Sequence, residues 1–135
     1  MIIEEHEAAY KEHLKHINRD IEEGIEENQR DIGFNISQGS VELFSIFLHK
    51  LNLTGSSGEK FDHRIFKTKK LAEKRLPPDF PQKKEILNLM MKIELERNVL
   101  CYGKRKPPER IKEVITYFNN LREIINKELQ NARKK

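Results

Sequence analysis

Apolar side chains recur at steps of three and four residues along most of the chain, with charged side chains filling the positions between them. Tyr10, Leu14 and Ile17 begin the first such stripe. This spacing places apolar residues on one face of an α-helix. The stripes predict five helices, at about residues 3–28, 31–52, 62–75 and 80–102 and from Pro107 to the end of the chain. No stretch alternates with the period of two that a strand shows, so we expect an all-α fold, an antiparallel bundle of four to five helices.

Glycine, proline and small polar residues mark the expected ends of these helices. A Thr-Gly-Ser-Ser-Gly run at 54–58 predicts a loop after the second helix, and Gly103 is expected to end the fourth. Asp79 is expected to cap the fourth helix by accepting a hydrogen bond from the backbone N–H of Gln82. Gly39, inside the second helix, predicts a close approach by a neighbouring helix because it has no side chain. No linker or internal repeat divides the chain, so we expect a single domain spanning all 135 residues.

The cysteine content and the absence of long apolar runs bear on the compartment. Cys101 is the only cysteine, so no intrachain disulfide can form, which is typical of reducing compartments. No apolar run approaches the about 20 residues that cross a bilayer. The first five residues lack the basic start and apolar centre of a signal peptide. We therefore expect a cytoplasmic protein without a membrane partner.

Charge is unevenly distributed, although the formal net charge is only +4. Residues 1–31 hold ten acids against four Lys and Arg, a balance of −6. Residues 60–75 hold seven Lys and Arg against two acids, and residues 103–112 hold five against one, which gives balances of +5 and +4. Basic charge gathered in two segments favours a polyanionic partner such as nucleic acid. Solvated helix faces and loops would show the same pattern, so both interpretations stay open.

The end of the fourth predicted helix concentrates side chains that can bind phosphate. These are Arg97, Asn98, Tyr102, Lys104 and Arg105. An arginine can bind a phosphate through two parallel hydrogen bonds, a lysine adds a point charge, and a tyrosine hydroxyl can donate a further hydrogen bond. The alternative is structural: Arg97 would pair with a glutamate of a neighbouring helix, and Tyr102 would be a half-buried anchor.

Several segments of the chain occur in an order and spacing that resemble one known family. They are residues 40–51 of the second helix, the Gly/Ser loop that follows, His63, Leu-Pro-Pro at 76–78 and the run from Glu96 to Lys104. These segments resemble the HEPN domains, the helical "higher eukaryotes and prokaryotes nucleotide-binding" family, and the similarity extends over about residues 8–130. The resemblance implies a bundle of four or five helices that forms a homodimer.

The resemblance also implies a site. In active HEPN members an Arg is followed after four to six residues by a His, and two such motifs face each other across the dimer and cut RNA without a metal ion. Some toxin members carry a Tyr two residues after that His, which a partner nucleotidyltransferase modifies, in the manner of a toxin–antitoxin pair. Here Arg97 and Asn98 match the start of the motif, but Tyr102 occupies the His position and Lys104 the later Tyr position. No histidine follows His63.

These observations predict a HEPN-like homodimer that binds the phosphates of RNA or a nucleotide through the five candidate side chains, without a cofactor. Tyrosine ordinarily titrates far above neutral pH and is a poor general base, so we expect weak or no ribonuclease activity. The alternative belongs to another class, a non-catalytic helical adaptor that docks a partner such as a nucleotidyltransferase through an apolar helix face. A third interpretation is an active ribonuclease that uses His63, provided that the third helix reaches the same cleft.

Other groups predict less chemistry. His13 and His16 share one helix face, and His6 lies two turns earlier. A His-x-x-His pair without a further ligand is a poor metal site, so we expect solvated histidines and no metal. Residues 55–60 lack the spacing of a P-loop. Cys101 is expected to be a small core residue, since no nearby base would activate its thiol.

Overall fold

The computed structural model describes residues 2–53 and 61–133. Within these ranges the chain forms five α-helices, one 3₁₀ helix and no strand, so the predicted all-α fold is confirmed. The α-helices are α1 (Ile3–Glu23), α2 (Gln29–Lys50), α3 (Lys69–Arg75), α4 (Lys83–Cys101) and α5 (Pro108–Arg133), and the 3₁₀ helix, between α2 and α3, is His63–Lys67. None of the described helices is both long and apolar enough to cross a membrane. The predicted Gly/Ser loop at 54–58 and the segment 55–60 lie outside the described residues.

The first helix is shorter than predicted. It ends at Glu23 rather than near residue 28, because Gly24 takes a φ of +139°, a value that side-chain-bearing residues rarely adopt. The N–H of Gly24 still donates to the carbonyl oxygen of Asp20 at 2.9 Å, which closes the last turn. Ile25, whose spacing extended the predicted helix, lies beyond the break and packs against the core from there.

The predicted helix over residues 62–75 is split at Thr68. This residue is extended, with φ −138° and ψ 154°, and separates the 3₁₀ helix from α3. Its Oγ1 accepts a hydrogen bond from the N–H of Leu71 at 3.1 Å and so caps α3. The prediction of a single helix from apolar spacing was therefore wrong, because Thr68 separates the 3₁₀ helix from α3 and caps α3.

The fourth helix begins at Lys83 rather than near residue 80. Asp79 accepts from the N–H of Phe80 at 3.0 Å, so the expected cap through the N–H of Gln82 was wrong. Gln82 instead takes the left-handed conformation, with φ +59°, and turns the chain into α4.

Helix α2 lies at the centre, in contact with α1, α4, α5 and the 3₁₀ helix. His6 contacts Glu42 and His13 contacts Asn35, so α1 and α2 run antiparallel. Contacts in reversed residue order also join α4 to α2 and α4 to α5, so both of these helix pairs are antiparallel as well. Among the described helices, α2 is the only one whose backbone lies close to that of α1. It is an edge helix, whereas α2, α4 and α5 surround a common core.

Aromatic rings fill the core beside α2. Phe44 is fully buried and lies 5.4–6.5 Å, between ring centroids, from four other phenylalanines, Phe47, Phe61, Phe66 and Phe80. These distances are those of offset and edge-to-face ring pairs, which add to the stabilisation from burial. The rings come from α2, the 3₁₀ helix and the segments before the 3₁₀ helix and α4, and thereby join these parts of the chain.

Two glycines let α1 and α4 approach α2 closely. A Cβ built on Gly39 would lie 3.3 Å from the Cβ of His13 on α1, which confirms the close approach predicted there. A Cβ on Gly33 would lie only 2.7 Å from the Cβ of Leu100 on α4. Gly33 was not singled out from the sequence, yet it brings the end of α4 against α2, where the candidate residues lie.

Candidate functional site

The segment after α4 is fastened to the start of α2 by the buried side chain of Gln29. Its Nε2 donates to the carbonyl oxygens of Leu100 at 3.2 Å and Lys104 at 3.3 Å, and its Oε1 accepts from the N–H of Lys106 at 2.6 Å. The end of a helix leaves carbonyl groups without an intrahelical partner, and Gln29 supplies one. Gln29 was not predicted, because a glutamine at a helix start gives no sign of a contact 71 residues away.

Arg30, the next residue, adds a basic group to the same helix end. Its exposed guanidinium donates to the carbonyl oxygens of Cys101 at 3.3 Å and Gly103 at 3.1 Å. A cation is favoured at the C-terminal end of a helix, where the helix dipole is negative. Arg30 was not among the predicted site residues, because it is 71 residues from Cys101 in the sequence and reaches the end of α4 only once the helices have packed.

Arg97 is half-buried against α2 and is not part of an ion pair. Its Nη1 donates to the Oγ of Ser37 at 3.1 Å, and its guanidinium carbon lies 5.2 Å from the centroid of the Phe34 ring. No ion pair within residues 2–53 and 61–133 includes it, so the alternative in which it pairs with a glutamate was wrong there. A guanidinium carries five N–H donors, and this contact uses one. Arg97 is therefore held in place with donors left for an anion.

The other predicted residues lie around this helix end with different surroundings. Tyr102 is 68% exposed, so its alternative role as a half-buried anchor was wrong. Asn98 and Lys104 are exposed as well. Arg105 donates to the backbone carbonyl oxygen of Glu26, before α2. The structure thus places Arg97 against α2 itself and Arg105 against the segment that precedes α2.

A small cavity of about 210 Å³ lies beside Arg105. Arg30 and Arg105 line it from two sides, but Glu27 and Asp31 do so too, and its charge is therefore mixed. An anion would meet carboxylates as well as guanidinium groups in this cavity. Arg97, on α4, has no carboxylate within hydrogen-bonding distance among the described residues.

His63, the predicted accessory residue, is bound to a buried carboxylate on α4. Glu94 is only 3% exposed, and its two oxygens lie 2.7 and 2.9 Å from the Nδ1 of His63. Glu94 precedes Arg97 by three residues, which puts both on one helix face. His63 therefore contacts α4 one turn before Arg97. The carboxylate of Glu94, bound to Nδ1, orients the imidazole.

The rest of the basic segment at 60–75 is partly neutralised. Arg64 donates two hydrogen bonds to Asp62, at 2.9 and 3.0 Å, and these bonds hold the pKa of the Asp62 carboxyl well below its usual range. Lys69 lies 4.0 Å from Glu73. Within the described part of this segment, residues 61–75, four exposed cations remain, Lys67, Lys70, Lys74 and Arg75. The predicted basic surface is thus present on the 3₁₀ helix and α3 with two local ion pairs.

Cys101 is half-buried, and its Sγ lies 3.7 Å from the carbonyl oxygen of Arg30. Burial raises the pKa of its thiol, although the charges of Arg97 and Arg30 oppose that shift. Because the protonated thiol is favoured, Cys101 is poorly suited to act as a nucleophile.

The histidines of α1 are not solvated as expected. His6 is 1% exposed, its Nδ1 lies 2.6 Å from the Oε2 of Glu42, and its ring lies 5.4 Å from that of His49. Burial, followed by the neighbouring His6, lowers the pKa of His49. His13 forms a 2.8 Å hydrogen bond with the Oδ1 of Asn35. These side chains face α2, which the spacing of histidines alone could not show. In the part of the chain that is described, no three His, Cys, Asp or Glu residues are arranged to hold a metal ion.

Comparison with known proteins adds no assignment. No protein-family model matches the chain, and no curated protein and no solved structure matches it. The functional argument therefore depends on the geometry around Arg97 and on the sequence resemblance.

Proposed function

We propose that this protein is a HEPN-like homodimer that binds the phosphates of RNA or a nucleotide at the C-terminal end of α4, with weak or no ribonuclease activity. Arg97 is the central phosphate-binding residue, and Asn98, Tyr102 and Lys104 extend the binding surface around it. The proposal includes no cofactor.

The observation that carries this proposal is the environment of Arg97. A half-buried guanidinium usually has a carboxylate partner, because burying an unpaired charge is costly. Arg97 has a hydroxyl and an aromatic ring instead, from Ser37 and Phe34. Both partners orient the guanidinium without neutralising it. A phosphate would supply the missing negative charge through two parallel hydrogen bonds.

The surroundings support a polyanion rather than a single small anion. Arg30 lies at the same helix end, and Lys104 is exposed on the segment that follows. The 3₁₀ helix, which contacts α4 through His63 and Glu94, and α3 carry further exposed cations. A single strand of RNA presents one phosphate at every nucleotide and can contact several cations at once.

Homodimer formation is supported by apolar side chains on the exposed face of α4. Leu95 is 65% exposed on α4, and Tyr102, directly after the end of this helix, is 68% exposed. A two-fold contact across this face would remove them from water. Light scattering should then return about twice the 16.1 kDa of one chain. A 16.1 kDa species at micromolar concentration would contradict the dimer but not phosphate binding.

The decisive experiment measures binding of a fluorescent single-stranded RNA over a range of salt concentrations. Each neutralised phosphate of a single strand contributes a slope of about −0.7 to the dependence of log K on log salt. We expect Arg97→Ala to weaken binding by about 1–3 kcal/mol and to reduce the slope by about 0.7. Arg133→Ala is the matched control, because Arg133 ends α5 at the opposite end of α4, where Gln82 contacts Glu128. Unchanged binding by Arg97→Ala would overturn the assignment of Arg97.

A second candidate function is the non-catalytic adaptor that docks a protein such as a nucleotidyltransferase. The exposure of Leu95 and Tyr102 favours it, because the same apolar face would suit a partner protein. Binding through an apolar face responds little to salt, whereas phosphate binding weakens steeply. Leu95→Gln adds no charge and should weaken both the docking of such a partner and the dimer, whereas the salt slope of RNA binding should stay unchanged because Leu95 has no group that binds phosphate.

A further inference from the structure

Phe34 is unusual on α2 because most of this helix is buried, whereas 43% of Phe34 is exposed. Its ring carries the Arg97 guanidinium at 5.2 Å and meets the edge of the His13 ring at 6.3 Å and 71°. The ring is thus held between α4 and α1 while part of it faces solvent. An exposed aromatic ring gains stabilisation only from a partner that covers it.

A groove adjoins this ring. It has a volume of about 180 Å³ and is lined by α1 and α2, through Glu12, His13, His16, Asp31, Phe34 and Asn35. The hydrogen bond between His13 and Asn35 fixes two of these side chains. Asp31 is half-exposed at the rim, 3.6 Å from Arg19. Hydrogen-bond acceptors therefore border the groove, and the cation Arg97 stands at the ring.

We propose that Phe34 is a stacking platform for a nucleobase whose phosphate is bound by Arg97. This inference rests on the proposed phosphate-binding function and names the chemistry of its ligand. A nucleotide unit combines a flat π-surface with an anion a short distance away, and Phe34 and Arg97 present the complementary pair. The carboxylates at the rim can accept from amino and imino N–H groups of a base but would repel a second phosphate.

An apolar peptide segment fits this place less well. It would bury the charge of Arg97 without neutralising it and would leave Glu12 and Asp31 facing apolar groups. Stacking on an aromatic side chain is tolerant of base identity and is common in proteins that bind single strands. The ligand class is therefore a nucleobase carrying phosphate, either in single-stranded RNA or in a free nucleotide.

The chain contains no tryptophan, which allows a direct test. Phe34→Trp keeps an aromatic ring and places a single fluorophore at the platform. We expect oligoadenylate to quench its fluorescence, and an abasic ribose-phosphate oligomer of equal charge to leave it unchanged. Ile2→Trp is the matched control, because Ile2 is 57% exposed at the start of α1, about three helical turns from His13 and next to the acidic Glu4 and Glu5. Its fluorescence should respond to neither oligomer.

Phe34→Leu supplies the affinity measurement. Loss of one stacked base should weaken oligoadenylate binding by about five- to a hundred-fold while leaving the affinity for the abasic oligomer unchanged. Comparison of AMP with oligoadenylate separates a free nucleotide from a strand as the source of the base, and ribose 5-phosphate is the control without a base. A circular dichroism melt of each variant checks that the fold is retained.

The outcomes separate the two proposals. If native protein binds both oligomers equally, and Phe34→Leu changes neither affinity, the stacking platform is overturned and phosphate binding stands. If native protein binds neither oligomer, both proposals fall. Quenching of Phe34→Trp by a protein partner but not by oligoadenylate would overturn the platform in favour of the adaptor.

Discussion

The two sides of α2 are built from different chemistry. On one side Phe44 and its neighbouring phenylalanine rings form an apolar core. On the other side α1 docks through His6, His13 and Asp20, each buried or half-buried against α2. The same helix therefore has one contact whose strength does not depend on protonation and one whose strength does. The core sets whether the chain folds, and the α1 contact sets how firmly the edge helix stays docked.

The two ends of α1 respond to pH in opposite directions. Burial, reinforced by Asp31, raises the pKa of Asp20 to about 7, so deprotonation at higher pH opposes docking there. Burial lowers the pKa of His49, which lies beside His6, so protonation at lower pH opposes docking at the other end. A His whose folded pKa is lowered weakens the fold as pH falls below its ordinary pKa. The two effects act over overlapping pH ranges and oppose each other, so they are separated by substituting one residue at a time.

The largest effect is expected in the apolar core. Phe44→Ala removes a fully buried ring and its four aromatic contacts, and we expect a loss of about 3–5 kcal/mol in the free energy of unfolding. Urea denaturation followed by circular dichroism measures it. Phe34→Ala is the control for an exposed ring, with an expected loss of about 1 kcal/mol or less. Equal losses from the two variants would show that the aromatic core is not the main source of stability.

The next effect concerns Asp20, whose Oδ2 is buried without a hydrogen-bond partner. Its proton is bound more tightly in the folded state than in the unfolded chain, so stability should fall as pH rises from about 4 to about 7 and then level off. Each pKa unit corresponds to about 1.4 kcal/mol, so the fall should amount to a few kcal/mol at most. Asp20→Asn keeps the shape without the charge and should remove this pH dependence.

Urea denaturation at mildly acidic and mildly alkaline pH tests this expectation for Asp20. Glu22→Gln on the exposed part of α1 is the matched control and should leave the pH dependence unchanged. If the free energy of unfolding of Asp20→Asn still fell with pH as it does in the native protein, another group would have to be the one that loses a proton. The carboxyl group of Asp31 would then be the first to examine, because it is the partner that raises the pKa of Asp20.

A smaller effect compares the two glycines directly. Gly33→Ala would put a Cβ 2.7 Å from that of Leu100, so α2 and α4 would have to separate, at a cost of about 1–3 kcal/mol. Gly39→Ala meets its nearest atom at 3.3 Å, and the better helix propensity of alanine, about 1 kcal/mol, should offset the tighter fit. Thermal melts of both variants rank the two contacts. A larger loss from Gly39→Ala would show that α1 is the more tightly packed neighbour.

Local spacing was enough to predict the helices but not their breaks or the site's supports. Steps of three and four record which face of a helix is buried, and this is why the all-α fold and α5 were expected correctly. Gly24 and Thr68 interrupt that spacing through backbone conformation, which apolar spacing does not register. Gln29 and Glu94 act on residues 71 and 31 positions away, so their roles exist only once the helices have packed.

The smallest stability effect is expected for Arg97, which lies between the two sides. Its contacts are one hydrogen bond to Ser37 and one cation–π contact with the Phe34 ring, and neither partner carries a charge. Arg97→Ala should therefore lower the free energy of unfolding by only about 1 kcal/mol. Removing one member of a buried ion pair would instead cost about 3–5 kcal/mol through the charge left behind. A small loss in a thermal melt together with a large loss of RNA binding would mark Arg97 as a ligand-binding residue. A loss as large as that of Phe44→Ala, with RNA binding unchanged, would make it part of the core instead.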